Sequence, residues 1–244
     1  VTRWALTLVL VFAWEILGRA LVTDPRTALL VPLPTDVARV GWGLLRDGSL
    51  LAAVARSAAR VGAGALLAIA IGVPIGASIA RSRRGGLIEG PLRLLRPIPP
   101  VAWVPLTILW LGVTELQQVA VLTVAATFVV ATGTAQAVAG VPARLLLAAR
   151  NLGADERTVT LKVAVYAAFP GIAATVREAV GTAWYVLVAA ELLSAGEGLG
   201  VLVLEGRDML EPARTFVGMG ALAVCGAGTD RALAALQARI GRWA

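Results

Sequence analysis

Long apolar stretches alternate along this chain with short charged ones, and within the apolar stretches no two-residue alternation appears. The stretches are Trp4–Val22, Val61–Ala80, Pro97–Thr114, Leu116–Ala143, Ala174–Ala195 and Thr215–Thr229. A helix needs about 20 mainly apolar residues to cross a bilayer core, whereas barrel strands alternate apolar with polar positions. The pattern therefore predicts an all-α membrane protein of six transmembrane helices, at about 4–22, 58–80, 98–114, 117–140, 173–195 and 213–229. One domain is expected, covering 1–244. The first stretch reads as a retained span, because it is too long for a signal peptide and lacks a small-residue cleavage site.

The segment Pro142–Ile172 interrupts this pattern with Arg144, Arg150, Asp155, Glu156, Arg157 and Lys162, between the charge-free stretches Leu116–Ala143 and Ala179–Ala190. Pro142 can start a helix whose apolar face is Leu145, Leu146, Ala149 and Leu152, and Gly153 is a natural cap at its end. Asp155 can cap a second helix running to about Ala168, before Pro170. A helix–turn–helix with that ordered pattern, over about 142–170, reads as a docking element rather than a connector.

Other local signals are weaker. Thr35 or Asp36 can open a short amphipathic helix that ends before Gly48, suited to a membrane interface. Gly72 and Gly76 flank Pro74 and allow close helix approach. Glu15 and Arg19, four apart, can neutralise one another. Four prolines at 97, 99, 100 and 105 prevent a regular helix, which predicts either a helix entry outside the bilayer or a bent, pathway-lining span. Glu191 is a carboxylate near the outer end of the fifth span, and intramembrane carboxylates are functional candidates. The candidate pathway residues are Pro99, Pro100, Trp103, Trp184 and Glu191. Residues 195–200 read as an outer turn, and Asp230–Trp243 as a basic amphipathic tail on the inner leaflet.

Composition sharpens this reading. The chain has 244 residues, is 58% hydrophobic and carries a net charge of +7; its mean hydropathy is +0.82. With the N-terminus inside, fourteen basic residues fall in inner segments and seven in outer ones, the bias of a protein with both termini cytoplasmic. The basic excess is thus topological, and nucleic acid is not an expected partner. With no histidine, one cysteine and one lysine, imidazole catalysis and the usual His/Cys metal sites are excluded. No Gly-x-x-x-x-Gly-Lys-Ser/Thr is present, so the chain brings no phosphate loop of its own. The run Gly218-Met-Gly220-Ala-Leu-Ala223 imitates a dinucleotide fingerprint but sits in an apolar helix with no strand before it.

The loop resembles the cytoplasmic signature of permease subunits of binding-protein-dependent ABC importers, which reads Glu-Ala-Ala, three residues, Gly. Ala148, Ala149, Gly153 and Ala154 match it, followed by Pro170, Gly171 and Ile172; Leu147 stands where Glu is usual, and Val165-Tyr166 where Leu-Pro is usual. Trp14-Glu15, Leu33-Pro34, Arg96 to Pro100, Ile108 to Gly112, Ala189 to Glu191 and Gly198 to Gly200 are similar to the nitrate, sulfonate and taurine branch. The resemblance implies a type I ABC importer permease-like fold in the bacterial plasma membrane, with no catalytic residue and no metal or cofactor of its own. It implies a second copy of the chain, cytoplasmic ATP-binding subunits holding ATP and magnesium, and an extracytoplasmic substrate-binding protein. Arg144, Leu147, Ala148, Ala149, Arg150, Gly153, Ala154 and Asp155 would couple to the ATPase. The cargo would be a small anion such as an alkanesulfonate, taurine or nitrate. The competing readings are the membrane subunit of another ATP-driven system and a secondary transporter, for which no internal repeat is found.

Overall fold

A computed structural model describes residues 2–21, 31–81, 85–193 and 196–240, without the side chains at 2–4, 7, 8 and 21. Arg26, Arg83, Arg84, Ala195, Arg242 and Trp243, which the sequence reading placed in loops, a turn or the tail, lie outside the described residues. Every element among the described residues is helical. The helices are α1 (Thr2–Leu21), α2 (Pro34–Arg46), α3 (Ser49–Arg81), α4 (Gly85–Leu95), α5 (Trp103–Leu111) and α6 (Glu115–Ala139). They continue with α7 (Ala143–Asn151), α8 (Glu156–Thr158), α9 (Val165–Ala167), α10 (Phe169–Leu192), α11 (Leu199–Asp208) and α12 (Pro212–Ile240). A 3-10 turn, Pro100–Ala102, precedes α5, and a π-helical segment, Val159–Ala164, joins α8 to α9.

The chain divides into two compact units, one of residues 1–58 and 191–225, the other of 59–190 and 226–244. In the first unit α1 packs on α2 through Glu15. Its carboxylate pairs with Arg19 at 2.7 Å and accepts hydrogen bonds from the amide and hydroxyl of Thr35 at the start of α2. The four-residue spacing of Glu15 and Arg19 thus forms the structural pair it predicts, and it also ties down the next helix. Trp14 packs on Phe216 with ring centroids 5.3 Å apart. The amphipathic α2 forms as expected and closes at Gly48, whose φ of +81° favours glycine.

In the second unit α3, α6 and α10 approach one another closely at glycines. A Cβ on Gly64 would lie 2.8 Å from Leu122, one on Gly72 2.8 Å from Val130, and one on Gly76 2.7 Å from Thr134. Positions rise together on the two helices, so α3 and α6 run parallel. Between α6 and α10 the order inverts: a Cβ on Gly133 would collide with Thr175, and one on Gly171 would lie 2.8 Å from Ala137. Helix α12 is antiparallel to α10, since Arg177 pairs with Asp230 while the Gln237 amide donates to the Pro170 carbonyl. The ends of α3, α6 and α12 and the start of α10 therefore share one side.

Among the described residues three helices are long and apolar enough to cross a membrane: α3, α6 and α10. The fourth candidate is a broken pair, Gly85–Leu95 with Pro100–Leu111, bent by 86°. The parallel course of α3 and α6 requires the chain to return between them, and this broken pair makes that return. The expected span at 98–114 is therefore no single helix: prolines without amide hydrogens interrupt the ladder, and α5 keeps only nine residues. Two further expectations are corrected. The segment expected as a separate tail continues the last apolar stretch as one 29-residue helix, α12. Leu199 and Gly200, read as the end of an outer turn, instead open α11.

Candidate functional site

Helix α7 is built as its local signals dictate. Pro142 precedes its first residue, and the helix closes in a Schellman motif. The Gly153 amide donates to Arg150 O at 2.9 Å and the Ala154 amide to Ala149 O at 3.1 Å, the paired bonds that satisfy terminal carbonyls. Gly153 has φ +85°. Ala149 and Ala154 face the cluster of Val138, Val141, Leu146, Val159, Ala164, Ala168 and Ile172. Ala149, Gly153 and Ala154 thus have a physical reason for their spacing: they close the helix and seat it on the core.

Orientation departs from the expected apolar face. Leu146 is buried and Ala149 half-buried, but Leu145 and Leu152 point outward, Leu152 at 88% exposure. Leu147, Ala148 and Arg144 are exposed as well. Leu147 therefore occupies an outward position, where replacing the usual acidic residue orphans no buried partner. Arg150 is held by Glu156, with Nε–Oε1 2.7 Å and Nη2–Oε2 3.1 Å. Arg81, at the end of α3, reaches the same carboxylate at 3.7 Å. Asp155 caps α8 by accepting from the Thr158 amide at 3.2 Å. The second helix does not run evenly to Ala168 but is interrupted by the π segment.

Hydrogen bonds from Thr158 hold the Asp155 carboxyl below its ordinary range, and the Arg150 guanidinium does the same for Glu156. A depressed carboxylate pKa adds stability that is complete above the usual carboxylate range and is lost as pH falls through the lowered values. The loop is thus at full strength at neutral pH.

A second feature lies where α5 meets α6: a cavity of about 290 Å³. Pro100 and Trp103 line it, with Arg96, Phe128, Gln136 and Glu178. Trp103 and Phe128 stack with centroids 6.2 Å apart. Two of the sequence candidates are thus brought together. Pro99 caps the 3-10 turn and is exposed. Trp184 does not line this cavity; it is buried, and its indole N–H donates to Thr229 at 3.0 Å. The sequence reading missed Phe128, Thr132 and Gln136, although polar residues four apart in an uncharged span are a usable signal.

Glu191 belongs to the first unit, where it has no exposed surface. Ser57 donates to its Oε1 at 2.8 Å and the Gly200 amide to its Oε2 at 2.7 Å, while the Leu199 amide donates to Ser57. A Cβ on Gly198 would collide with this carboxylate. The acid sits at the N-terminus of α11, where exposed amides and the helix dipole favour negative charge. It anchors that helix.

Residues 68–242 match the family described as "Binding-protein-dependent transport system inner membrane component". The chain belongs to this family. It is a multi-pass permease subunit, as its apolar stretches and the family resemblance together predicted. A probable ABC transporter permease protein of Brucella melitensis is 35% identical over 221 residues, covering 88% of each chain. A putative aliphatic sulfonates transport permease protein of Bacillus subtilis is 30% identical over 236 residues, 96% of this chain and 84% of that one. Relatives named as taurine and nitrate permeases match too. In structure the permease is similar to a chain of the inward-facing MetNI methionine ABC transporter, with a TM-score of 0.63 at 19% identity, covering 75% of this chain and 95% of that one.

Proposed function

We propose that this permease works as a dimer of two copies in a bacterial plasma membrane, each copy one domain of six spans with both termini cytoplasmic. The exposed apolar ridge of α7, closed rigidly at Gly153 and seated on its own core, carries the reading. It supplies Leu145, Leu147, Ala148 and Leu152, rimmed by Arg144, for insertion into a groove on a separate ATP-hydrolysing subunit, which holds ATP and magnesium. The permease itself contributes no catalytic group. The shared side of the α3, α6 and α12 ends supports placing the loop and C-terminus together in the cytoplasm. ATP-driven closure of the partner pair would move both α7 helices and switch the pathway between its two openings.

An extracytoplasmic binding protein would deliver a small anion, of the sulfonate, taurine or nitrate kind that the relatives' names mention. The cavity beside Trp103 and Arg96 offers it a contact, since a guanidinium pairs well with oxyanions. Arg96→Gln should lower anion uptake into proteoliposomes about tenfold, the scale of one lost charge-assisted hydrogen bond, while the complex still assembles. Full uptake by that variant would remove Arg96 from the pathway, and failure of the permease to co-purify with an ATP-hydrolysing subunit would overturn the assignment.

A further inference from the structure

Glu178 is an exposed residue of α10, a helix long and apolar enough to cross a membrane, and charged side chains on such helices face a partner or a wet cavity. Its neighbour Arg177 is fully engaged, pairing bidentately with Asp230 at 2.9 and 3.0 Å. The Glu178 carboxylate has no hydrogen-bond or ion-pair partner among the described residues, and it lines the cavity beside Trp103. Arg96 lines the same cavity. Its neighbour Arg93 pairs with Glu89 at 2.6 Å, whereas the Arg96 guanidinium also lacks a partner among the described residues. One small cavity is thus lined by a cation and an anion that no described residue pairs with and, between a helix bend and a charge-free span, by the Trp103–Phe128 stack.

We propose that this cavity selects a small zwitterion, with Arg96 taking its sulfonate or carboxylate and Glu178 its ammonium group. The inference rests on the permease reading above and narrows it, because a plain anion would meet Glu178 as a like charge. Electrostatic repulsion of that sort acts against the wrong ligand as effectively as attraction favours the right one. The aromatic pair supplies an apolar wall for a short methylene linker and a face that also attracts an ammonium group. The site therefore distinguishes taurine from ethanesulfonate, which has the same anionic head and no amine.

The test is binding of tritiated taurine to the detergent-purified complex of the permease with its ATP-hydrolysing subunits, competed by unlabelled taurine, ethanesulfonate or ethylamine. Ethanesulfonate and ethylamine should each compete at least about tenfold more weakly than taurine, since each forgoes one charge-assisted contact. Glu178→Gln should weaken taurine to the level of ethanesulfonate without weakening ethanesulfonate, and Glu178→Asp should restore most of the difference. Arg96→Gln should weaken both sulfonates. Equal competition by taurine and ethanesulfonate in the unmodified complex, equal losses for both in Glu178→Gln, or no saturable binding would each overturn the proposal. Uptake of ethanesulfonate, together with stable assembly with the ATP-hydrolysing subunits, would in all three cases leave the importer reading standing.

Discussion

Gly153→Val should reduce substrate uptake by more than about tenfold while ATP hydrolysis, where the complex assembles, no longer responds to substrate. The free-energy scale behind this is the left-handed backbone, which costs an L-residue roughly 1–2 kcal/mol and a β-branched one more. Nothing lies within 4 Å of a Cβ built on Gly153, where φ is +85°. Strain in the backbone, rather than a collision, is therefore the whole effect. To relieve it the turn must open, breaking the bonds from Gly153 to Arg150 and from Ala154 to Ala149. Helix α7 would fray at the end that sets its angle to the core. Asparagine tolerates this conformation, so Gly153→Asn should keep most uptake. Uptake and substrate-stimulated hydrolysis measured in proteoliposomes check the pair. Normal coupling in the valine variant would remove α7 from the transmission path.

Glu191→Leu should be the most destabilising single change outside the loop. It strands the Gly200 amide and the Ser57 hydroxyl, both buried, at about 1–3 kcal/mol for each unmet group. Removing a buried charge offsets part of that loss, but the two stranded donors remain. The consequence is local before it is global: α11 loses the carboxylate that holds its first turn. Hydrogen exchange should quicken at Leu199–Asp208, and the melting temperature should fall. Glu191→Gln should be milder, because one oxygen still accepts a hydrogen bond while its amide faces a donor. Unchanged exchange in α11 for Glu191→Leu would contradict the anchoring role.

The loop was the most legible part of the chain because its signals are local. Pro142, Gly153 and Asp155 each act within a few residues, and each sits where the structure uses it. Glu15 and Arg19 were legible for the same reason, being one helical turn apart. What the sequence obscured is relational. Ser57 meets Glu191 across 134 positions, so a carboxylate that reads as a pathway group becomes an anchor only when the fold brings its donors. Nothing local singled out Glu178 either; only the fold pairs its neighbour Arg177 with Asp230 and leaves the carboxylate lining a cavity. The outward leucines of α7 defeated pattern reading differently. Apolar residues usually mark the inward face of a helix, but a surface that awaits a partner is apolar too. The prolines from 97 to 105 announced a break without its angle, because an 86° bend depends on how the flanking helices pack.

The most direct test of the account replaces single residues of α7 by a photoreactive benzophenone amino acid and illuminates the assembled complex. Leu145, Ala148 and Leu152 face outward and should cross-link to the ATP-hydrolysing subunit, whereas Leu146, buried in the permease core, should not. Adducts confined to the outward positions would establish α7 as the docking helix in the orientation described. No adduct to that subunit from any of the three would contradict it.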